Sequence, residues 1–139
     1  MPNELFSGFD ISASAMSAER LRMTVSAENL ANAGSTRRLE NGLPYARQRV
    51  VFRTELDQAG KATGHVAGEV IQSPKYVERH DPSHPDADAK GNVTQADIDP
   101  ILEMVDLMTA SKSYEANANA SRGFISMHQA ALRLGDIQG

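Results

Sequence analysis

The 139-residue chain contains no cysteine and no tryptophan, and aromatic residues make up 5% of it. Without cysteine there are no disulfides, no thiol catalysis and no cysteine-ligated zinc, and the composition suits a chain exported to an oxidising space. Large apolar residues are scarce. Leu, Ile, Val and Phe together supply about one-fifth of the chain, at the edge of the range in which burial offsets chain entropy. The 40% hydrophobic content leans on alanine, which buries little area, so contacts are expected to be thin until a partner covers them. No apolar run approaches the roughly 20 residues of a membrane span, and the chain is not expected to be membrane-inserted. The opening MPNELFSGFDISAS has neither a basic stretch nor an apolar run of signal-peptide length, which predicts export, if any, without a cleaved signal peptide. Positive charge is not in excess: 18 Asp and Glu outnumber 14 Lys and Arg, for a net charge of −4. A footprint for nucleic acid is therefore missing, and the pair Arg37 and Arg38 is a weak patch. No glycine-rich phosphate loop and no Ser–His–Asp context is present.

What is present is helical periodicity at both ends. From Asn3 to Ala33, Phe9, Met16, Met23 and Leu30 recur by sevens, with Ala13 and Ala27 at the second seam position. Ile11, Ala18 and Val25 flank the same face, and Arg20 interrupts it. This narrow stripe predicts a helix packed in a coiled coil, with an ordinary amphipathic helix on a small core as the alternative. Gly34 is placed to end it as the residue just past the helix. From Ile98 to Leu134, Met104, Ser111, Ala118, Ile125 and Leu132 share one frame of sevens, and Leu107, Tyr114 and His128 a neighbouring one. Pro100 fits the first turn, and Asp97 or Asp99 the N-cap. Between the helices, strands are expected at Ala46 to Glu55, at His65 to Ser73 with a bulge at Gly68, and at Lys75 to His80. The fold class is α+β: long N- and C-terminal helices (1–34 and 98–139) paired as a coiled-coil-like bundle, with a small β-rich middle region (35–97) that contains a proline-bearing connector.

The connector, ERHDPSHPDADAKG at 78–91, holds two of the four histidines and raises the question of a metal. Residues 86–97 approach a calcium loop, with Asp86, Asp88, Gly91 and Asp97 at positions one, three, six and twelve. Lys90, however, stands where an oxygen ligand is needed, and Pro82 and Pro85 prevent an entering helix. His80, His84 and Asp88 would be the ligands of a zinc enzyme, but the prolines forbid the helix that would aim both histidines the same way. The stretch reads instead as a connector without metal or cofactor: Pro82 and Pro85 fix an extended path, the aspartates cap turns, and Gly91 reverses direction.

Four segments carry a resemblance. SAENLANAGST, with Asn29, Ala31, Asn32 and Thr36, resembles the N-terminal signature of the bacterial flagellar rod and hook proteins, and PYARQRVVF resembles the segment that follows it. DPSHPDADAKGNV and EMVDLMTASKSYEAN resemble a proximal-rod member of that family. Departures are Asn92, where the family usually has tyrosine, and TQAD at 94–97. The resemblance implies a structural subunit and no enzyme, built into the drive shaft that transmits motor torque. Its terminal helices would pair and pack with those of neighbours into the inner tube. Assembly and signature residues would be Asn29, Ala31, Asn32, Thr36, Glu103, Met104, Val105, Met108, Tyr114, Glu115 and Asn117, with Pro82, His84, Pro85, Asp88 and Gly91 in the connector. Val105, Met108 and Tyr114 would be buried between subunits, and Glu103 and Glu115, with Asp106, would lie along helix edges. Asn29, Asn32, Asn117 and Asn119 would fix register at crowded interfaces or else face solvent. Implied partners are further copies, other proximal-rod subunits, the rod base protein at the export gate, the distal rod and the rod-cap muramidase. The implied location is the basal body, in the rod spanning the periplasm, after unfolded passage through the flagellar type III apparatus. Alternatives are another rod or hook axial protein, or a metal-dependent enzyme using His80, His84 and Asp88.

Overall fold

The computed structural model describes residues 2–136, with side chains for 8–134. Met1 and residues 137–139, the outer ends of the two expected helical segments, lie outside the described residues. The element order is α1 (Pro2–Ala31), β1 (Arg47–Leu56), β2 (Ala62–Ser73), β3 (Tyr76–His80), β4 (Asn92–Ala96) and α2 (Pro100–Asp136). Two long helices flank a small middle region of strands, an α+β fold. At 37 residues, α2 runs about 55 Å. Its start is set by Asp99, whose Oδ1 accepts the amides of Ile101 (2.9 Å) and Leu102 (3.4 Å), with Pro100 in the first turn, where no donor is missed. Asp99 rather than Asp97 is thus the cap. At the end of α1 the expected glycine cap is replaced by a side chain: Asn32 Nδ2 donates to the Glu28 carbonyl at 2.8 Å, and Gly34 does not adopt a positive φ.

The strands form two separate two-stranded sheets, β1 with β2 and β3 with β4. In the second, antiparallel, Tyr76 lies opposite Ala96 and His80 opposite Asn92. β4 was not expected, because NVTQA follows a run of turn formers and carries a single large apolar residue. It is a strand because β3 offers it a ladder and because Val93 and Ala96 are buried. No bulge glycine is needed at Gly68; the glycine of β2 with positive φ is Gly64.

The chain divides into two compact units, 1–21 with 52–69 and 109–139, and 22–51 with 70–108. In the first, Gly8 lies so close to α2 that a Cβ there would stand 2.7 Å from the Phe124 ring. Ser14 Oγ of α1 accepts the Val66 amide of β2 at 3.2 Å. In the second, α1 and α2 run antiparallel: Arg22 pairs with Asp106, and seven residues on, Asn29 bonds Glu103.

Burial along the helices departs from the expected seam. In α1 the buried residues are Ser12, Ala18, Glu19, Val25, Ser26 and Asn29, whereas Phe9, Met16, Met23 and Leu30 are half-buried and Ala27 is exposed. In α2, Glu103 and Ala110 are buried, and Asn117 and Phe124 continue their frame half-buried. Leu107, Tyr114, Ser121 and His128 form the second frame, while Met104, Ile125 and Leu132 are exposed. The most buried positions of both helices therefore carry small and polar residues, the large apolar stripe of α1 is half-buried, and that of α2 points to solvent at Met104, Ile125 and Leu132. Small side chains permit the close approach seen at Gly8. Among the described residues, the buried apolar side chains are Ala18, Val25, Pro44, Val93, Ala96 and Ala110.

Candidate functional site

The N-terminal signature, the start of β1 and the first turns of α2 meet at one buried node. Asn29 and Glu103 are each 1% exposed. The Asn29 amide clasps the Gln48 peptide on both sides, with Nδ2 donating to the carbonyl at 2.7 Å and Oδ1 accepting the amide at 2.9 Å. The same Nδ2 donates to Glu103 Oε2 at 3.0 Å, and Oδ1 accepts the Tyr45 hydroxyl at 2.9 Å. Arg47 reaches the other carboxylate oxygen, Oε1, from Nε (2.7 Å) and Nη2 (2.6 Å). Burial pushes the Tyr45 phenol above its ordinary pKa, and the nearby Glu28 and Glu103 carboxylates add to this.

The node corrects one expectation. Glu103 does not lie along a helix edge; it is the largest fully buried side chain among the described residues. A buried carboxylate is costly unless paired and hydrogen-bonded, and Arg47 and Asn29 satisfy both requirements. Tyr45, Arg47 and Gln48 were not singled out from the sequence. The only available signal was that a carboxylate on the inward frame of α2 requires a base, and nothing local says which one. The other asparagines keep to their own helices: Asn32 bonds Glu28, Asn117 donates to the Ser113 carbonyl, and Asn119 accepts from Arg122. Thr36 of the signature donates to Asp86 of the connector at 2.6 Å.

The connector is not an extended path toward α2. It is a closed loop between β3 and β4, in which the Asp81 amide donates to the Gly91 carbonyl at 2.9 Å. Within it, His84 and Ala87 amides bond back to Asp81 and His84 carbonyls. Asp88 Oδ1 accepts the Lys90 and Asn92 amides at 2.8 and 2.9 Å. Aspartates and prolines at this density favour successive turns over extension. The last turn, Asp88 to Asn92, repeats a form found at Leu39–Leu43 and Asp57–Lys61. In each, the first amide donates to the fifth carbonyl, the fourth amide to the first carbonyl, and the fourth residue is a glycine near φ +76° or +77°. Only glycine takes that conformation without strain. Asn92 serves this turn through its backbone, and its Oδ1 faces His80 Nδ1 at 3.0 Å.

Hydrogen bonds from the Asn92 and Lys90 amides hold the Asp88 carboxyl below its ordinary pKa of 3.8, and the Ser83 hydroxyl acts likewise on Asp81. A carboxyl lowered in the folded state stabilises the loop when ionised; that contribution is present above pH 3.8 and is lost as pH falls through the folded value. The Lys90 and Asn92 amide resonances are therefore expected to hold steady from pH 7 to 5 and to shift only below about pH 3.8. At pH 7, Asp88→Ala is expected to reproduce the acid spectrum. Movement of these amides above pH 5 contradicts this account.

The histidines serve the same turns. His84 Nδ1 accepts the Asp86 amide at 3.1 Å, and among the described residues no three His, Asp or Glu side chains converge to hold a metal. Replacing His80 and His84 together by glutamine is expected to leave swimming close to normal. Lost motility accompanied by stoichiometric zinc in the purified wild-type protein would overturn that expectation.

The outward face of α2 is apolar in its first three turns. Ile101 is 71% exposed and Val105 54%, and Leu102, Met104 and Met108 are exposed beside them. Tyr114 is half-buried and Glu115 exposed.

A node of buried, hydrogen-bonded polar residues joins the two helices, and the start of α2 leaves an apolar face exposed. A family model described as the flagellar basal body rod FlgEFG protein C-terminal matches residues 89–134. The flagellar basal-body rod protein FlgC of Bacillus subtilis is 36% identical over 147 aligned positions, covering 94% of this chain and 97% of that protein. FlgC of Escherichia coli O6:H1 is 42% identical over 131 positions, covering 91% and 95%. FlgC of Aquifex aeolicus is 40% identical over 119, covering 84% and 87%. These matches define a structural protein of the flagellar basal-body rod. The chain belongs to the flagellar basal-body rod protein FlgC family. It is a structural subunit of the basal body rather than an enzyme, and it assembles with other flagellar rod components.

Proposed function

We propose that this chain builds the proximal rod by packing α1 and α2 against the helices of its neighbours. In this reading the terminal segments 1–34 and 98–139 form the inner helical domain of the drive shaft, and 35–97 lies outward and makes lateral contacts. The observation that carries the proposal is the exposed stripe Ile101, Leu102, Met104, Val105 and Met108. Side chains of this size gain about 1.5–3 kcal/mol each when fully covered, so covering the stripe outweighs burial of the few small apolar side chains buried among the described residues. The signature residues Ala31, Thr36, Tyr114, Glu115 and Asn117 take part by shaping the helix ends and rims. Close packing of many such contacts lets a shaft resist twist.

Partners in this reading are further copies and other proximal-rod subunits, the rod base protein at the export gate, the distal rod and the rod-cap muramidase. The rod spans the periplasm, and the subunit arrives unfolded and uncleaved through the type III apparatus. A core this thin leaves little to unfold before export.

The absence of cysteine makes the test clean. A Met104→Cys protein is expected to react with a maleimide as a purified monomer and to be protected in isolated basal bodies. Equal labelling in both states would remove this face from the assembly.

A further inference from the structure

We infer that the turn Arg37–Leu43 of one subunit seats on the start of α2 in a second copy of this chain, head to tail. The inference rests on the reading of α2 as a covered face and names what covers its first turns.

The turn is preformed, and Arg37 and Leu39 stand on the rim of a hollow that Tyr45 and Asp86 also line. The Leu39 amide donates to the Leu43 carbonyl (2.8 Å), the Gly42 amide to the Leu39 carbonyl (2.9 Å) and the Leu43 amide to Asn41 Oδ1 (3.0 Å). Gly42, at φ +76°, closes the turn. Arg38 Nη1 braces it by donating to the Gly42 carbonyl at 3.3 Å. This order is spent on presenting two leucines to solvent, Leu39 at 53% and Leu43 at 45% exposure. A rigid apolar turn loses little entropy on docking. Arg37 and Arg38 are exposed at its base, and neither is in a direct ion pair among the described residues, although Arg38 is near enough to Asp88 to favour its ionised form. Glu40 is the one acid within it.

The same chain carries the complementary surface. Beside Leu102 is a hollow of about 230 Å³, lined in part by Ser73, Asp97 and Asp99. Its remaining lining includes Arg47 and Lys75 with Glu103, so acids outnumber bases there by three to two. Asp97 and Asp99 are exposed and, like the two arginines, in no ion pair among the described residues. Next to the hollow lie Ile101 and Val105, both exposed. Two leucines flanked by two arginines thus match an apolar rim flanked by two aspartates. Because both surfaces are exposed in one chain, the turn does not cover its own helix. Two different patches meeting make a heterologous contact, which leaves one free patch at each end and propagates as a ring or a helix. Opposite charges at the rim orient the encounter.

The test uses the complete chain in flagellated cells. With Leu39→Cys and Leu102→Cys in the same subunit, oxidation of isolated basal bodies is expected to yield a ladder at successive multiples of the subunit mass, beginning at twice that mass, which neither single variant forms. In parallel, Arg37→Glu with Arg38→Glu is expected to lower the amount of subunit in basal bodies at least tenfold, and adding Asp97→Lys to recover most of it. A cross-link to a protein of another mass, no cross-link in rods that assemble normally, or no recovery with Asp97→Lys overturns the inference. If Met104→Cys remains protected while the 39–102 link fails, the α2 face is covered by something other than this turn. If Met104→Cys is labelled in basal bodies, the α2 reading itself fails.

Discussion

Replacing Val105 by aspartate is expected to leave the subunit soluble and exportable while abolishing hooks and swimming. In the isolated chain Val105 is more than half exposed, and a charge there keeps its water. Aspartate in a helix costs at most about 0.7 kcal/mol relative to the best formers. In the proposed assembly apolar neighbours cover the same position, and a carboxylate left there without a partner would cost several kcal/mol per interface. That cost recurs at every subunit in the stack, so rod completion fails outright rather than slowing. Hook counts by electron microscopy and a swim-plate assay read the result, with cytoplasmic and exported protein quantified separately. Normal hooks would show that this face is not an assembly contact. Aggregation before export would place Val105 in a core of the monomer. The matched control is Glu115→Gln, at an exposed position where loss of a charge matters little.

Glu103 is expected to show the opposite behaviour, with its effect appearing in the monomer. Glu103→Ala leaves the Arg47 guanidinium without its carboxylate and Asn29 Nδ2 with the Gln48 carbonyl as its remaining acceptor. Breaking a buried pair costs about 3–5 kcal/mol; because Arg47 is itself one-third exposed and regains water, about 2–3 kcal/mol is expected. Domains are stable by only about 5–15 kcal/mol, and one with so few buried apolar residues belongs at the lower end, so the loss is a large fraction of the whole. Asn29→Ala is expected to cost about as much, since it frees both polar groups of Gln48 along with Glu103 and Tyr45. The two losses share partners and are expected to be non-additive by about 1 kcal/mol or more in a double-mutant cycle. Urea unfolding of the purified monomer measures all of these. A Glu103→Ala midpoint equal to that of wild type would mean that the node does not hold the helix ends together. Glu103→Gln is expected to fall between the two, because its amide accepts from only one of the neighbours that the carboxylate serves.

The local sequence determined a good deal of this protein. The helices run close to their expected limits, Pro2–Ala31 against Asn3 to Ala33 and Pro100–Asp136 against Ile98 to Leu134, because periodicity, a proline in the first turn and an aspartate cap are signals carried within a few residues. The first strand was legible from its Val- and Phe-containing run, the second and third from shorter β-branched and aromatic runs between turn formers, and the glycine turn at Gly91 from its neighbours. The tertiary structure decided what depends on distant partners. β4 exists because β3 lies beside it. The connector closes on itself because Asp81 and Gly91 meet. Glu103 is buried because Asn29, 74 positions away, and Arg47, 56 away, satisfy it. It also decided which frame of each helix turns inward. A stripe of methionines, valine and leucine has the same period whether it packs on its own chain or on another, so periodicity reports that a face is to be covered and not by what. Here small and polar residues such as Asn29, Glu103 and Ala110 pair within the chain, where close approach and hydrogen bonds set register, and the apolar residues at the start of α2 stay exposed, the face proposed above to meet neighbouring subunits.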